Sequence, residues 1–331
     1  MTPHESPPGR TTPLFVISLG IVAVSTASLM IRFAQALGTP SLVIAAGRLA
    51  IAVLVIIPIV VARDRSELLA LQRKELWLAL ASGAFLAVHF ATWITSLQYT
   101  SVASSVVLVS TSPLWVTLAS SVLLHERPSR DMIVGMTLAI LGSVGVALAD
   151  TCLSSGRWAC TEAAGGRLSE SILGDGLALV GAFMAAGYFL LGRRLRPTLS
   201  LRVYVFLSYG MAALLLLLSL PLAGLKVAGY LPSAYWWIVL LAIIPQLVGH
   251  SSFNWALRYL SATFVTVSVL GEPIGSTLLA YFFLGETPGP VKIVGAALIL
   301  TGILIALRAE WRNLRPEGPH ANAGSDEMAA V

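Results

Sequence analysis

Long apolar runs of about twenty residues recur along the chain, separated by short segments that hold most of its charge. They lie at roughly Leu14–Ala36, Ser41–Ala62, Leu76–Leu97, Val102–Leu124, Met132–Ala149, Gly174–Leu191, Val203–Ala223, Tyr235–Trp255, Ala262–Leu284 and Val291–Leu307. Within each run the apolar residues are continuous rather than alternating. Because lipid satisfies no backbone group, a run of this length predicts a membrane-crossing helix. The pattern therefore predicts an all-α polytopic membrane protein with ten transmembrane helices. The three-residue connections Gly38–Pro40 and Tyr99–Ser101 require tight antiparallel neighbours. The first run is too long for a secretory signal, and Met30–Arg32 offers no small-residue cleavage site, so it reads as a retained span.

Composition strengthens this picture. Of 331 residues 56% are hydrophobic and 11% charged, against about a quarter charged in soluble domains. That excludes an ordinary soluble enzyme and leaves no room for a sizeable water-soluble domain. With a cytoplasmic N-terminus, fifteen Lys and Arg fall in cytoplasmic segments, and only Arg157, Arg167, Lys226 and Lys292 fall opposite. This asymmetry places both termini in the cytoplasm of a bacterial-type inner membrane. The net charge of +5 then reflects insertion and anionic lipid, not nucleic acid. The expected divisions are a tail over 1–13, a five-helix unit over 14–150, an extracytoplasmic loop over 151–173, a second unit over 174–308 and a tail over 309–331. Cys152 and Cys160, the two cysteines, fall at that loop, as a disulfide on the oxidising side or as free thiols.

The two units repeat. A shift of 160 residues lays Leu124-His125-Glu126-Arg127-Pro128 on Leu284-Gly285-Glu286-Thr287-Pro288, Ile133-Val134-Gly135 on Ile293-Val294-Gly295, Gly142 on Gly302, and Pro113 on Pro273. Paired Glu, Pro and Gly at one ungapped offset mark a duplication. Five is odd, so the second copy enters the membrane from the other side. Inverted five-helix repeats are the architecture of secondary transporters, with a site near the midplane.

The stretch His250-Ser-Ser-Phe-Asn-Trp-Ala-Leu-Arg-Tyr-Leu-Ser261, with Leu270-Gly-Glu-Pro273 and Leu284-Gly-Glu-Thr-Pro288, resembles the EamA-type family of the drug/metabolite transporter superfamily. Ile31-Arg32, Arg48-Leu49 and Thr111-Ser-Pro-Leu114 running on to Glu126-Arg-Pro128 fit the same pattern. The resemblance covers roughly residues 14–307. It implies ten helices in two inverted repeats and, most often, efflux of amino acids or other small metabolites.

Candidate working residues are polar groups stranded in apolar runs. Glu272 lies about 16 Å from one end of its span and about 18 Å from the other, where an ionisable group should face a cavity or a partner. It reads as a proton site or counter-charge, or as half of a static ion pair with Arg48, taken to lie at similar depth. Pro113 and Pro273 stand mid-span, freeing the carbonyls of Val109 and Val269 and bending both helices. His89 with Trp93, and His250 with Asn254, share helix faces at i,i+4 and are candidates for lining a solute pathway or for interhelical hydrogen bonding. Thr111 and Ser112 could contact solute or cap the freed carbonyls. Gly271 with Gly275, and Gly142 with Gly145, read as close-packing faces.

Among the motifs sought, no nucleophile elbow, zinc-binding His-Glu-x-x-His, phosphate loop or dinucleotide fingerprint occurs. The expectation is a carrier without metal or cofactor, whose partners are a small-molecule solute, lipid and, as a candidate, protons. It would export small polar metabolites by alternating access. A channel or sensor, or less favourably an intramembrane enzyme, on the same bundle is the alternative.

Overall fold

The computed structural model describes residues 11–100, 105, 108–125, 127–152, 168–284 and 289–313. They form α1 (Thr12–Ser25), α2 (Ala27–Ala36), α3 (Ser41–Arg63), the short α4 (Arg65–Leu69), α5 (Arg73–Tyr99), α6 (Ser112–Leu123), α7 (Arg130–Cys152), α8 (Leu168–Leu195) and α9 (Leu201–Leu222). Then come α10 (Pro232–Leu241), a π-helical segment (Ala242–His250), α11 (Ser251–Ala256), α12 (Ala262–Val269), α13 (Glu272–Leu284) and α14 (Pro290–Asn313). Seven described helical stretches are long and apolar enough to cross a membrane. The helix α7 and the shorter apolar segments Ser112–Leu123 and Ala262–Gly275 supply the remaining three. Ten apolar spans thus match the hydropathy pattern. The questions about Cys160, Glu126 and Glu286 lie outside the described residues.

Local chemistry sets the helix ends. Ser200 and Ser261 are N-caps whose hydroxyls accept from Val203 N (3.3 Å) and Phe264 N (3.2 Å). Gly38, at φ +79°, closes α2 in the left-handed conformation that a side chain resists. There its N–H meets the Gln35 carbonyl at 2.9 Å, and the tight turn expected at Gly38–Pro40 follows.

Two features depart from regular spans. The first span is interrupted at Thr26, whose hydroxyl donates to the Ala23 carbonyl at 2.7 Å. The eighth holds the π segment around Pro245. A proline lacks the N–H that an α-helix needs, and one wide turn absorbs the mismatch.

The outward faces are apolar: Phe15, Val22, Leu54, Leu118, Val122, Leu218, Phe282 and Leu304 are all exposed. Buried inside are Arg48, Ser82, His89, Gln246, Asn254, Thr263 and Thr266. This inversion of a soluble protein's distribution suits a lipid solvent.

The fifth and tenth spans, α7 and α14, pack on each other through glycine. A Cβ on Gly135 would lie 2.6 Å from the Gly302 carbonyl oxygen, and one on Gly142 would lie 2.6 Å from that of Gly295. The 160-residue offset turns Gly135 into Gly295 and Gly142 into Gly302. Each glycine therefore meets the repeat mate of the other, which is the contact rule of a two-fold axis. The two helices run antiparallel across it, so the five-helix copies are inverted. Other spans pair by the same rule: the second with the seventh, and the third with the sixth as the first is with the eighth.

Candidate functional site

The second, third, sixth, seventh and eighth spans enclose a polar centre. From α3, Arg48 stands seven residues past Ser41, about 10 Å along its helix. It is 1% exposed. Its Nε donates to Gln246 Oε1 at 2.8 Å, and its guanidinium lies 4.3 Å from the centre of the Phe90 ring of α5. Both terminal guanidinium nitrogens, and the Gln246 Nε2, are buried without a hydrogen-bond partner. His250 joins this group, its ring meeting Phe90 edge-on at 5.3 Å.

A second cluster lies against the first. Asn254 of α11 donates from Nδ2 to the hydroxyls of Tyr188 (2.5 Å) and Tyr209 (3.1 Å), on α8 and α9. Its Oδ1 has no partner. The Tyr209 hydroxyl shares a 3.3 Å hydrogen bond with Ser251, which donates to the Gln246 carbonyl at 3.4 Å. Tyr204 and Ser82 share a 2.7 Å bond across α9 and α5. Fixed hydroxyls and amides of this kind can hold a polar solute in several orientations.

The two predicted pairs differ in their surroundings. His89 and Trp93 do share a face, with rings nearly parallel at 6.0 Å. His89 Nδ1 lies 2.8 Å from the Gly181 carbonyl oxygen of α8, while Trp93 Nε1 is buried without a partner. His250 and Asn254 straddle the end of the π segment and meet different neighbours: His250 packs on the third span, Asn254 on the sixth and seventh.

The static Arg48–Glu272 ion pair is not formed. Among the described residues Arg48 gives its one hydrogen bond to Gln246, and the Glu272 carboxylate makes neither hydrogen bond nor ion pair. Glu272 begins α13 just beyond a break at Leu270–Gly271, in the middle of its span. There the Glu272 carbonyl accepts from Ser25 Oγ of α1 at 3.2 Å. A Cβ on Gly275 would lie 2.7 Å from Ser25 Cβ, so this glycine is a packing residue.

The fourth span breaks at the equivalent place. Residues 110 and 111 form a turn before α6 begins at Ser112. Thr111 Oγ1 donates to the Leu108 carbonyl at 2.6 Å and accepts from Trp115 Nε1 at 3.3 Å. Its hydroxyl is thus engaged in the break, one carbonyl away from the Val109 group expected. Pro113 and Pro273, both buried, occupy the first turns of α6 and α13, where a missing N–H costs nothing. Each proline follows a two-residue interruption of its helix, and Thr111 and Leu270 within these interruptions keep right-handed helical backbone. Ser112 and Glu272 are repeat mates at the two breaks. The half-spans meet where Ser120 and Thr263 hydroxyls approach to 3.5 Å.

Polar ties close one end of the bundle, the end with the Arg-rich loops. Arg202 forms a two-pronged pair with Asp64 at 2.6 and 2.7 Å. Glu310 accepts from Ser261 N (2.5 Å) and Oγ (2.7 Å), tying α14 to the start of α12. Arg196, 1% exposed, donates from Nε to the Asn254 carbonyl at 2.9 Å and from a terminal nitrogen to the Leu199 carbonyl. Burial pushes its guanidinium down to about 10, so it stays charged at neutral pH.

Gln246, Tyr188, Tyr204 and Tyr209 escaped the sequence reading. A glutamine beside a proline in an apolar span, and tyrosines within aliphatic runs, were the available signals.

The model of the EamA-like transporter family matches residues 12–148 and 172–308. An uncharacterized transporter of Archaeoglobus fulgidus is 28% identical over 70% of this chain and 76% of its own length. A probable terminal-alkyne amino-acid exporter of Streptantibioticus cattleyicolor is 28% identical over 61% of this chain and 62% of its own. One solved crystal structure superposes with a TM-score of 0.72 over 93% of this chain and all of the other, at 21% identity, a likeness of fold. With both five-helix units matched, the chain belongs to the EamA-like transporter family of the drug/metabolite transporter superfamily and is an integral, multi-pass membrane transporter.

Proposed function

We propose that the protein is a secondary transporter that exports small polar metabolites, amino acids or related compounds, by alternating access. The observation that carries this reading is the paired breaks at Thr111–Ser112 and Gly271–Glu272, related by the repeat and set in the fourth and ninth spans. Discontinuous helices at equivalent mid-membrane points are the parts from which carriers build a site and its hinges. The amino-acid exporter relative supports the solute class.

In this reading Pro113 and Pro273 define the hinges, with Thr111 and Ser112 at the first break. His89, Trp93, His250 and Asn254 line the pathway, Arg48 supplies fixed positive charge, and Glu272 carries a proton or acts as counter-charge. The Arg-rich loops and both termini face the cytoplasm of a bacterial-type inner membrane.

The test is counterflow in proteoliposomes. A carrier loaded inside with unlabelled amino acid should accumulate labelled amino acid transiently above equilibrium. Flux without that overshoot marks a channel, and chemical change of the recovered solute marks an enzyme.

A further inference from the structure

We infer that Arg48 and Gln246 form a carboxylate-binding subsite for the transported solute; the inference rests on the transport reading. The guanidinium has five N–H donors and no acceptor, and it keeps its charge in any membrane. Here its edge toward Gln246 is used once, by Nε, and its face is covered by Phe90. The two terminal nitrogens remain, buried and unpartnered, with the Gln246 Nε2 donor unpartnered beside them. A buried charge with open donors is strongly unfavourable unless a partner arrives. What these groups share is sign: each is a donor, and one bears a full positive charge.

The ligand that answers a guanidinium's two free terminal nitrogens is a planar anion with two acceptor oxygens, which a carboxylate supplies. Gln246 serves twice, since its oxygen holds Nε and so fixes the plane of the guanidinium while its nitrogen adds a donor. The π segment is what makes this possible. By widening one turn at Pro245, it changes which residues of the eighth span face the bundle centre. His250, on the same segment, meets the Phe90 ring edge-on. Two carboxylates could take this place: that of a solute, or that of Glu272 in another arrangement of the ninth span.

Thermal stability in detergent, read against the common L-amino acids, their carboxamides, and acetate with acetamide, decides the matter. The acids should raise the melting temperature of the wild-type protein and the amides should not. Arg48→Lys, which keeps charge but loses the planar fork, should weaken that protection by about tenfold or more. Protection by acids confined to Glu272→Gln supports the subsite and identifies Glu272 as its resident carboxylate. Equal protection by acids and amides overturns the inference while leaving solute binding intact. No protection by any acid, in wild type or Glu272→Gln, also overturns it. Counterflow of amides alone would sink the carboxylate subsite but keep the carrier, whereas flux without counterflow for every solute would sink the carrier itself.

Discussion

The seam between α7 and α14 and the polar centre around Arg48 lie in one bundle but are built on opposite principles. At the seam, small residues let backbones touch, Gly135 meeting Gly302 and Gly142 meeting Gly295, and the one ion pair described across it, Arg312 with Asp131, joins exposed side chains at one end. Such packing has one good arrangement. In the centre, side chains are large, polar and incompletely satisfied, with open groups on Arg48, Trp93, Gln246, His250 and Asn254. Buried polar groups usually find partners, so a cluster of open ones marks a place whose partners change. In the proposed reading, the contrast gives the seam the part of holding the two repeats together and the centre that of meeting solute.

The sharpest break is a side chain at the seam. Gly142→Leu would push a Cβ to 2.6 Å from the Gly295 carbonyl oxygen and 2.8 Å from Ile299 N. Both are backbone atoms, so no flexible side-chain end can yield. We expect a loss of about 3 kcal/mol or more, visible as aggregation on size-exclusion chromatography in detergent. An unchanged elution profile would mean that the seam can open, and the assignment of roles would fail.

Asn254→Leu tests the other region. It removes two hydrogen bonds to tyrosine hydroxyls, and such bonds within membranes contribute roughly 1 kcal/mol each or less. The protein should remain folded, with a modestly lower melting temperature, while transport falls at least tenfold. A stability loss as large as that of the seam variant would make the tyrosine network scaffold and not pathway.

Glu272→Gln is nearly isosteric, and among the described residues its carboxylate holds no hydrogen bond or ion pair, so stability should change by less than about 1 kcal/mol. If Glu272 carries the coupled proton, uptake driven by a pH gradient disappears while solute-for-solute exchange persists. Full retention of pH drive would remove this role.

How much of this was legible follows from the physics of each feature. The spans and the seam glycines were visible because hydropathy and a fixed offset are properties of the linear chain. Arg48, His89, His250, Asn254 and Glu272 were visible because lipid makes any polar residue conspicuous. Their partners were not. The i,i+4 rule puts two residues on one face but does not name their neighbours, and His250 and Asn254 meet different ones. The mid-span prolines announce an interruption in the sequence, but not the two-residue turns that precede them. Matching Arg48 to Glu272 by charge and depth along single helices could not reveal that Gln246 takes the Arg48 Nε.

The smallest effect concerns a corner where the two repeats differ. His125 adopts φ +58°, and its repeat mate in the sequence is Gly285. A left-handed residue with a side chain costs about 1 kcal/mol, and glycine recovers only part of that because its unfolded chain is freer. His125→Gly should therefore stabilise the protein by roughly 0.5 kcal/mol and leave transport unchanged, since the exposed His125 lies outside both the seam and the polar centre. A rise in melting temperature with unaltered counterflow would show that the corner contributes strain and nothing to solute handling. A fall in transport would bring this corner into the moving machinery and blur the division between a fixed seam and an adaptable centre.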